Sequence, residues 1–129
     1  MEERALQIQE SGEMYLETIL ILSKKNGNTV RSIDIAKHTG YSKPSVSRAI
    51  HILKEGGLLN MDSEGIITLT DEGSEIANNI YERHIYITEF FTKIGVSEDV
   101  AAEDACRIEH CISQETFNKI KEYLANNLK

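Results

Sequence analysis

The 129-residue chain lacks the long apolar run that a membrane-spanning helix needs, since no stretch approaches about 20 apolar residues. Its start, MEERALQIQE, also lacks the basic and then apolar pattern of a secretory signal peptide. Only two cysteines occur, Cys106 and Cys111, and on a helix their spacing points them in different directions, which disfavours a disulfide between them. These absences predict a small cytoplasmic protein with reduced thiols and no membrane partner, and the 40% hydrophobic content is enough for a core.

Positive charge is scarce overall, and the net charge of −7 argues at first against nucleic acid, because Lys and Arg contacts to phosphate dominate such binding. The average conceals a split. Residues 23–57 carry seven basic and two acidic side chains, a balance of +5, so the remainder carries −12. A basic block beside an acidic block indicates two functional surfaces, one for a polyanion and one for cations. The alternative is two solvated faces that simply differ in charge.

The spacing of apolar residues and turn formers predicts a mainly α fold with one hairpin. Helices are predicted over residues 5–25, 32–39, 42–55 and 70–94, from 97 through the stretch 103–113, and from 113 to the C-terminus, with the hairpin over 58–70. Ser32 and Ser42 are the predicted N-caps of the second and third helices, and Pro44 falls in a first turn, where its missing N–H costs nothing. A boundary near residue 72 would divide the chain into domains 1–71 and 72–129.

The basic block has the element order of a winged helix-turn-helix: helix, turn, second helix and hairpin. In the helix predicted over residues 42–55, Val46, Ile50 and Leu53 form the predicted buried stripe. The opposite face of this helix carries hydroxyls and cations that can bond phosphates and base edges. The candidate DNA contacts are Ser32, Ser42, Lys43, Pro44, Ser45, Ser47 and Arg48. Arg48 suits a bidentate contact with guanine. A helical hairpin that binds another protein is the competing interpretation.

A single module of this size rarely gives enough specificity, so we expect a homodimer that reads two half-sites of double-stranded operator DNA. The C-terminal helices, which are rich in Ile, Phe and Tyr, are the expected dimer interface. The N-terminal winged helix-turn-helix would therefore be followed by a helical dimerisation domain.

The acidic block contains residue types that bind metals at helical spacing. The candidate ligands are Met14, Glu17, His84, Cys106, Glu109 and His110. In EDACRIEHCIS (103–113), Cys106, Glu109 and His110 lie at i, i+3 and i+4 of one predicted helix, so all three can point at one ion. Each feature alone is weak, because a Met at helical spacing is usually core, a Glu is usually solvated, and a His more often packs or caps.

Three segments resemble the diphtheria toxin repressor family of metal-dependent bacterial regulators, which includes the manganese transport regulators. They are GEMYLETILIL (12–22), SKPSVSRAIHILKEGGLL (42–59) and EDACRIEHCIS (103–113). The resemblance covers nearly the whole chain, from about Ser11 to Leu124. It implies that a divalent metal binds between a winged-helix domain and a helical dimerisation domain, and that the metal-loaded dimer represses transcription. We expect the chain to lack the SH3-like third domain of longer members.

The resemblance also implies a ligand set. The positions that match the primary site of the iron-responsive branch are Met14, Cys106, Glu109 and His110. The manganese branch has carboxylates in place of the two sulfur residues and adds a second ion through residues that match Glu17 and His84. The chain is therefore a hybrid of the two branches. Thr88 and Ala102 replace the Glu and His of the iron branch's ancillary site, which we expect to be absent in its usual form. The alternative is that Glu89 and Glu103, each one residue away, take their place.

Donor softness bears on the identity of the metal. Thioether and thiolate donors favour the borderline ions Fe(II), Co(II), Ni(II) and Zn(II), whereas an all-oxygen and imidazole set suits Mn(II), and availability in the cell decides as much as affinity. The sequence therefore predicts Fe(II) first and Mn(II) next, with Co(II), Ni(II) or Zn(II) possible in vitro. If Cys106 binds through its backbone carbonyl, the sulfur argument weakens.

The leading hypothesis is a metal-dependent transcriptional regulator of metal-homeostasis genes. A winged-helix regulator that responds to an organic ligand is one alternative. A small metalloenzyme with Glu109 as a base is another, disfavoured because the candidate ligands would fill the coordination sphere and no separate nucleophile or substrate pocket is readable. We expect neither an enzyme nor a small organic substrate.

Overall fold

Six helices and one antiparallel hairpin make up the described part of the chain, which in this computed structural model is residues 2–127, with side chains described from residue 12. The elements are α1 (Glu2–Asn26), α2 (Ser32–Thr39), α3 (Lys43–Glu55), β1 (Leu59–Met61), β2 (Ile67–Leu69), α4 (Asp71–Lys93), α5 (Glu98–Ile108) and α6 (Gln114–Asn126). The predicted mainly α fold is confirmed. Among these residues, no helix has both the length and the apolar character that crossing a bilayer requires.

The chain forms two compact units, Met1–Asn78 and Asn79–Lys129, and the division falls inside α4. The boundary that the sequence suggests, between residues 71 and 72, lies at the start of the same helix and stays a prediction.

The first unit is a winged helix built around an aliphatic core. Its largest fully buried side chains are Leu16, Ile19, Val30, Ile35, Val46, Leu59 and Ile67. The predicted inward stripe of α3 is confirmed, because Val46, Ile50 and Leu53 are all buried. The segment before α2 also joins the wing, since the Ile67 N–H donates to the Val30 carbonyl at 2.8 Å.

Local side chains set where α2 and α3 begin. Ser42 is the N-cap of α3, as the sequence predicts, and its hydroxyl oxygen accepts the Ser45 N–H at 3.3 Å. The prediction that Ser32 caps α2 is wrong. The N-cap is Arg31, whose N–H donates to the Asp34 carboxylate at 2.9 Å, so the helix already includes Ser32. This bond is the half of a capping box in which an acidic side chain at the third helical position accepts the N–H of the N-cap residue.

The predicted hairpin is confirmed, with Leu59 opposite Leu69 and Met61 opposite Ile67. In its turn, the Asp62 carboxylate accepts the N–H groups of Glu64 and Ile66, both at 2.9 Å. This turn is local chemistry that the sequence displays, which is why the hairpin could be predicted.

The start of α4 lies very close to the backbone of residues 57–58, which lead into β1. Thr70 Oγ1 donates to the Gly57 carbonyl at 2.8 Å and accepts the Gly73 N–H at 3.1 Å. A Cβ at Gly73 would lie 1.9 Å from the Leu58 carbonyl oxygen, so only glycine fits this close approach of two backbone segments. The start of α4 is thereby held against the chain that enters the wing.

The second unit has a smaller core of Ile87, Ala105 and Phe117, against which Tyr86, Phe91, Ile108, Ile112 and Ile120 pack. The prediction that the fifth helix continues through residues 103–113 is wrong, because α5 ends at Ile108 and Glu109 is its C-cap. Residue 113 has the extended backbone of an N-cap, and the Ser113 hydroxyl oxygen accepts the Thr116 N–H at 3.1 Å to start α6. The chain therefore turns between the two helices.

Candidate metal centre and nucleic-acid interface

Glu109 is a carboxylate with no exposed surface, and two imidazoles border it. His84 Nδ1 lies 2.9 Å from Glu109 Oε2, and His110 Nε2 lies 3.3 Å from Glu109 Oε1. The side chain of His84 is 30% exposed and that of His110 is 10% exposed. The second unit therefore brings together three of the six predicted metal ligands.

Three local features position these side chains. His84 projects from α4. Glu109 keeps helical backbone angles after the last residue of α5, and its N–H still donates to the Ala105 carbonyl at 2.9 Å. His110 lies in the turn that follows. Glu109 and His110 therefore do not lie within one helix, as the sequence predicts, but at the end of α5 and in the turn that follows. The third donor, His84, comes from α4.

The chemistry of this trio fits a divalent transition metal. A fully buried carboxylate is unfavourable unless hydrogen bonds or opposite charge compensate it. Two imidazole nitrogens and one carboxylate oxygen are donors that Fe(II), Mn(II), Co(II), Ni(II) and Zn(II) all accept. The arrangement suits a resident ion better than it suits general base catalysis, because Glu109 has no exposed surface from which to meet a substrate.

The other three predicted ligands are placed as follows. Cys106 lies on α5, one turn before Glu109, and its side chain is exposed. Met14 and Glu17 lie on α1 in the first unit, where Met14 is half-buried and Glu17 is 8% exposed. Their roles as ligands stay predictions.

Sequence reasoning missed Arg83, which directly precedes His84. Its Nη1 donates to the backbone carbonyls of Glu109 at 3.0 Å and Ile112 at 2.9 Å. A local pattern could not reveal this contact, because the partners are carbonyls more than 25 residues away, which every residue type supplies.

The predicted DNA-reading residues lie on the first half of α3 and at the start of α2. All six predicted residues of α3 and its cap are exposed: Ser42, Lys43, Pro44, Ser45, Ser47 and Arg48. Ser32 is half-buried and lines a groove of about 310 Å³ with Ile33, Lys43 and Ser47. Besides capping α3, Ser42 donates its hydroxyl to Ser45 Oγ at 2.9 Å, so both hydroxyls act within the cap.

Two further residues extend this surface, and the sequence analysis did not select them. His51 and Lys54 are exposed on α3 and line a second groove of about 170 Å³ with Ser32, Ser47 and Met61. Their spacing of four and seven residues from Ser47 was the available signal, since such positions share one face of a helix. The surface therefore continues along α3 toward the wing.

Comparison with known proteins decides the family. One family model, described as the iron-dependent repressor N-terminal DNA-binding domain, matches residues 7–65, and a second, the iron-dependent repressor metal-binding and dimerisation domain, matches residues 70–128. The chain belongs to the iron-dependent repressor family. The predicted resemblance and the order of a winged helix-turn-helix and a dimerisation domain are confirmed.

Relatives of this repressor family align along most of the chain. The transcriptional regulator MntR of Escherichia coli is 34% identical over 107 residues, which are 83% of this chain and 68% of that protein. An HTH-type transcriptional regulator of Methanocaldococcus jannaschii is 31% identical over 121 residues, 91% of this chain and 94% of that one. A manganese-dependent transcriptional repressor in complex with manganese superposes with a TM-score of 0.82 at 27% identity, over 88% of this chain. The chain spans 52% of that repressor's length.

Proposed function

We propose that the chain is a metal-activated transcriptional repressor of metal-homeostasis genes, acting in the cytoplasm as a homodimer on operator DNA. The observation that carries the proposal is the fully buried Glu109 with His84 and His110 beside it, in a chain that also presents an exposed recognition helix. Membership of the iron-dependent repressor family supports both halves of the proposal.

The proposed ligands are His84, Glu109 and His110 of the second unit. The resemblance adds Met14, Glu17 and Cys106. An ion bound there supplies positive charge to a buried carboxylate and to a block of net negative charge. Metal binding then favours the DNA-competent state of the dimer, which requires a coupling free energy of about 1–3 kcal/mol.

The proposed metal is Fe(II), with Mn(II) second. The imidazole and carboxylate donors accept either ion, so the preference rests on the sulfur atoms of Met14 and Cys106. Mn(II) is the second candidate because one of the similar structures is a manganese-dependent repressor in complex with manganese.

The proposed DNA contacts are the exposed side chains of the α3 face together with Ser32. Arg48 is the proposed base reader, because a guanidinium can bond guanine in bidentate fashion. Ser42, Lys43, Pro44, Ser45 and Ser47 lie at the N-cap and in the first turns of α3, where the Lys43 ammonium, serine hydroxyls and the helix N-terminus meet phosphates. The relatives are named as transcriptional regulators, and we propose no enzymatic activity.

Selection from a random pool of DNA duplexes tests this function without a known operator. The protein is incubated with the pool under anaerobic conditions with Fe(II), with Mn(II), or with a chelator. We expect a two-fold symmetric sequence to be enriched in the presence of metal and not with the chelator. Enrichment that is equal in all three conditions would favour a regulator that does not respond to metal, and no enrichment in any condition would overturn the proposal.

A further inference from the structure

The guanidinium group of Arg83 connects α4 to the segment 109–113 and to α6. Nη1 donates to the carbonyls of Glu109 and Ile112, at 3.0 and 2.9 Å, and Nη2 donates to Gln114 Oε1 at 3.1 Å. The same group lies 5.4 Å from the centre of the Phe117 ring. Arg83 therefore spans the whole segment 109–113 that connects α5 to α6.

This segment needs such a partner because it is not part of a helix. The last carbonyls of a helix have no partner within it, and here the chain turns immediately after α5. A guanidinium is planar and offers five donors in a fixed geometry, so it can hold two carbonyls and a side-chain amide at once. An ammonium group on a flexible stem cannot reproduce that pattern.

Glu109 is held at both ends by consecutive residues of α4. Arg83 bonds its backbone carbonyl, while His84 Nδ1 lies 2.9 Å from its carboxylate. Consecutive residues of a helix point about 100° apart, so α4 reaches Glu109 from two directions. The backbone and side chain of Glu109 are fixed together, and His110 follows directly in the same turn.

We propose that Arg83 is a positioning residue for the metal centre, which holds the segment 109–113 so that Glu109 and His110 face the ion. This inference rests on the proposed function. Arg83 acts through backbone carbonyls and is not itself a ligand, because a guanidinium stays protonated and has no lone pair to offer a metal.

Lys121 provides a matched control. It lies 5.5 Å from the centre of the same Phe117 ring, on the aromatic cluster that also includes Tyr86, but it donates to Glu82 rather than to the segment 109–113. Replacing Lys121 therefore removes a cation from the same ring without touching the turn. A general need for positive charge at Phe117 would affect both variants alike.

The test compares wild type, Arg83→Lys, Arg83→Gln and Lys121→Gln. Isothermal titration measures the affinity for Mn(II) and, under anaerobic conditions, for Fe(II). Hydrogen exchange of the metal-free proteins measures protection of the Glu109, Cys111 and Ile112 amides, which are bonded to carbonyls of α5.

We expect both Arg83 variants to lose about 10- to 100-fold in metal affinity, as is typical when a residue supporting metal ligands is removed. Their exchange should rise within 109–113 and stay unchanged in the middle of α4 and α6, and Lys121→Gln should match wild type in both measurements.

The outcomes separate this inference from the proposed function. Arg83→Lys with wild-type metal affinity would overturn the positioning role while leaving the metal centre in place. Faster exchange throughout the second unit would also overturn it, since Arg83 would then stabilise the fold as a whole. A wild-type protein that binds neither ion would overturn the proposed function and the positioning role with it.

Discussion

His84 Nδ1 lies 2.9 Å from Oε2 of Glu109, which joins the middle of α4 to the end of α5 across 25 residues of sequence. The carboxylate in this contact has no exposed surface. A charge in such a place is retained when it is paired or when it binds a metal. Because the buried Glu109 carboxylate lies beside imidazoles, which are themselves metal donors, this cluster is the structural basis of the proposed metal centre.

Glu109→Gln should remove metal binding while keeping the shape of the side chain. An amide is a poorer metal donor than a carboxylate and leaves the charge of the ion uncompensated. Wild-type protein should melt at a higher temperature when Mn(II) or Fe(II) is added, because a ligand that binds only the native state stabilises it by about 2.7 kcal/mol at 100 times its Kd. The variant should show no such rise in thermal denaturation.

The control for this experiment is Glu122→Gln, which makes the same change at an exposed carboxylate paired with Lys119. Its melting temperature should respond to metal as that of wild type does. A Glu109→Gln protein that metal still stabilises fully would remove Glu109 from the ligand set.

Cys106→Asp should lower the preference for Fe(II) over Mn(II). A carboxylate in place of a thiolate makes the donor set harder, which suits Mn(II). Competition titrations with the two ions under anaerobic conditions measure the ratio of their affinities. Asn126→Asp, which adds a carboxylate at an exposed position of α6 outside the segment 109–113, should leave that ratio unchanged. An unchanged ratio in Cys106→Asp would mean that its sulfur does not select the metal.

Arg48→Ala should weaken binding to the selected operator by about 1–3 kcal/mol and relax base preference at one position of each half-site, because a bidentate contact with guanine is lost. Metal affinity should not change. Fluorescence anisotropy with the selected duplex and with single-base variants of it measures the operator affinity and the base preference. Lys119→Ala removes a cation outside the first unit and should leave base preference as it is. Loss of affinity that is equal on every sequence would reassign Arg48 to a phosphate contact.

Gly73→Ala should destabilise the first unit by about 1–3 kcal/mol, since the new Cβ would meet the Leu58 carbonyl and one backbone must move. Gly56→Ala is the matched control, because its nearest neighbour is at 3.4 Å and its backbone angles are ordinary. Urea denaturation of the metal-free proteins gives the two free energies of unfolding. Equal stability in both variants would show that α4 can shift at its start without penalty.

The sequence predicts best where structure depends on neighbouring residues. The Ser42 cap, Pro44 in the first turn of α3 and the Asp62 turn of the hairpin all follow from chemistry within a few residues. The cap of α2 was missed by one position because the Asp34 carboxylate accepts the Arg31 N–H, which makes Arg31 the N-cap and leaves Ser32 as the first residue of the helix.

The sequence predicts poorly where a distant side chain decides the outcome. Helical propensity alone does not end α5 at Ile108, whereas the bonds from Arg83 to the carbonyls of Glu109 and Ile112 favour a turn there. The approach of His84 to Glu109 likewise needs the packing of α4 on α5. Helical spacing and the resemblance named the candidate ligands, but only tertiary structure brings His84 to the other two.

The most direct test of the central claim is the affinity for the selected operator duplex, measured by anisotropy with Fe(II), with Mn(II) and with chelator, for wild type and His110→Ala. The metal centre controls DNA binding if wild type binds at least about 10-fold more tightly with metal, the lower range of typical allosteric coupling, and His110→Ala binds equally weakly in all three conditions. His38→Ala, at an exposed imidazole of α2, should bind the operator more tightly with metal than with chelator, by the same factor as wild type. Wild-type operator affinity that is the same with metal and with chelator would contradict the account.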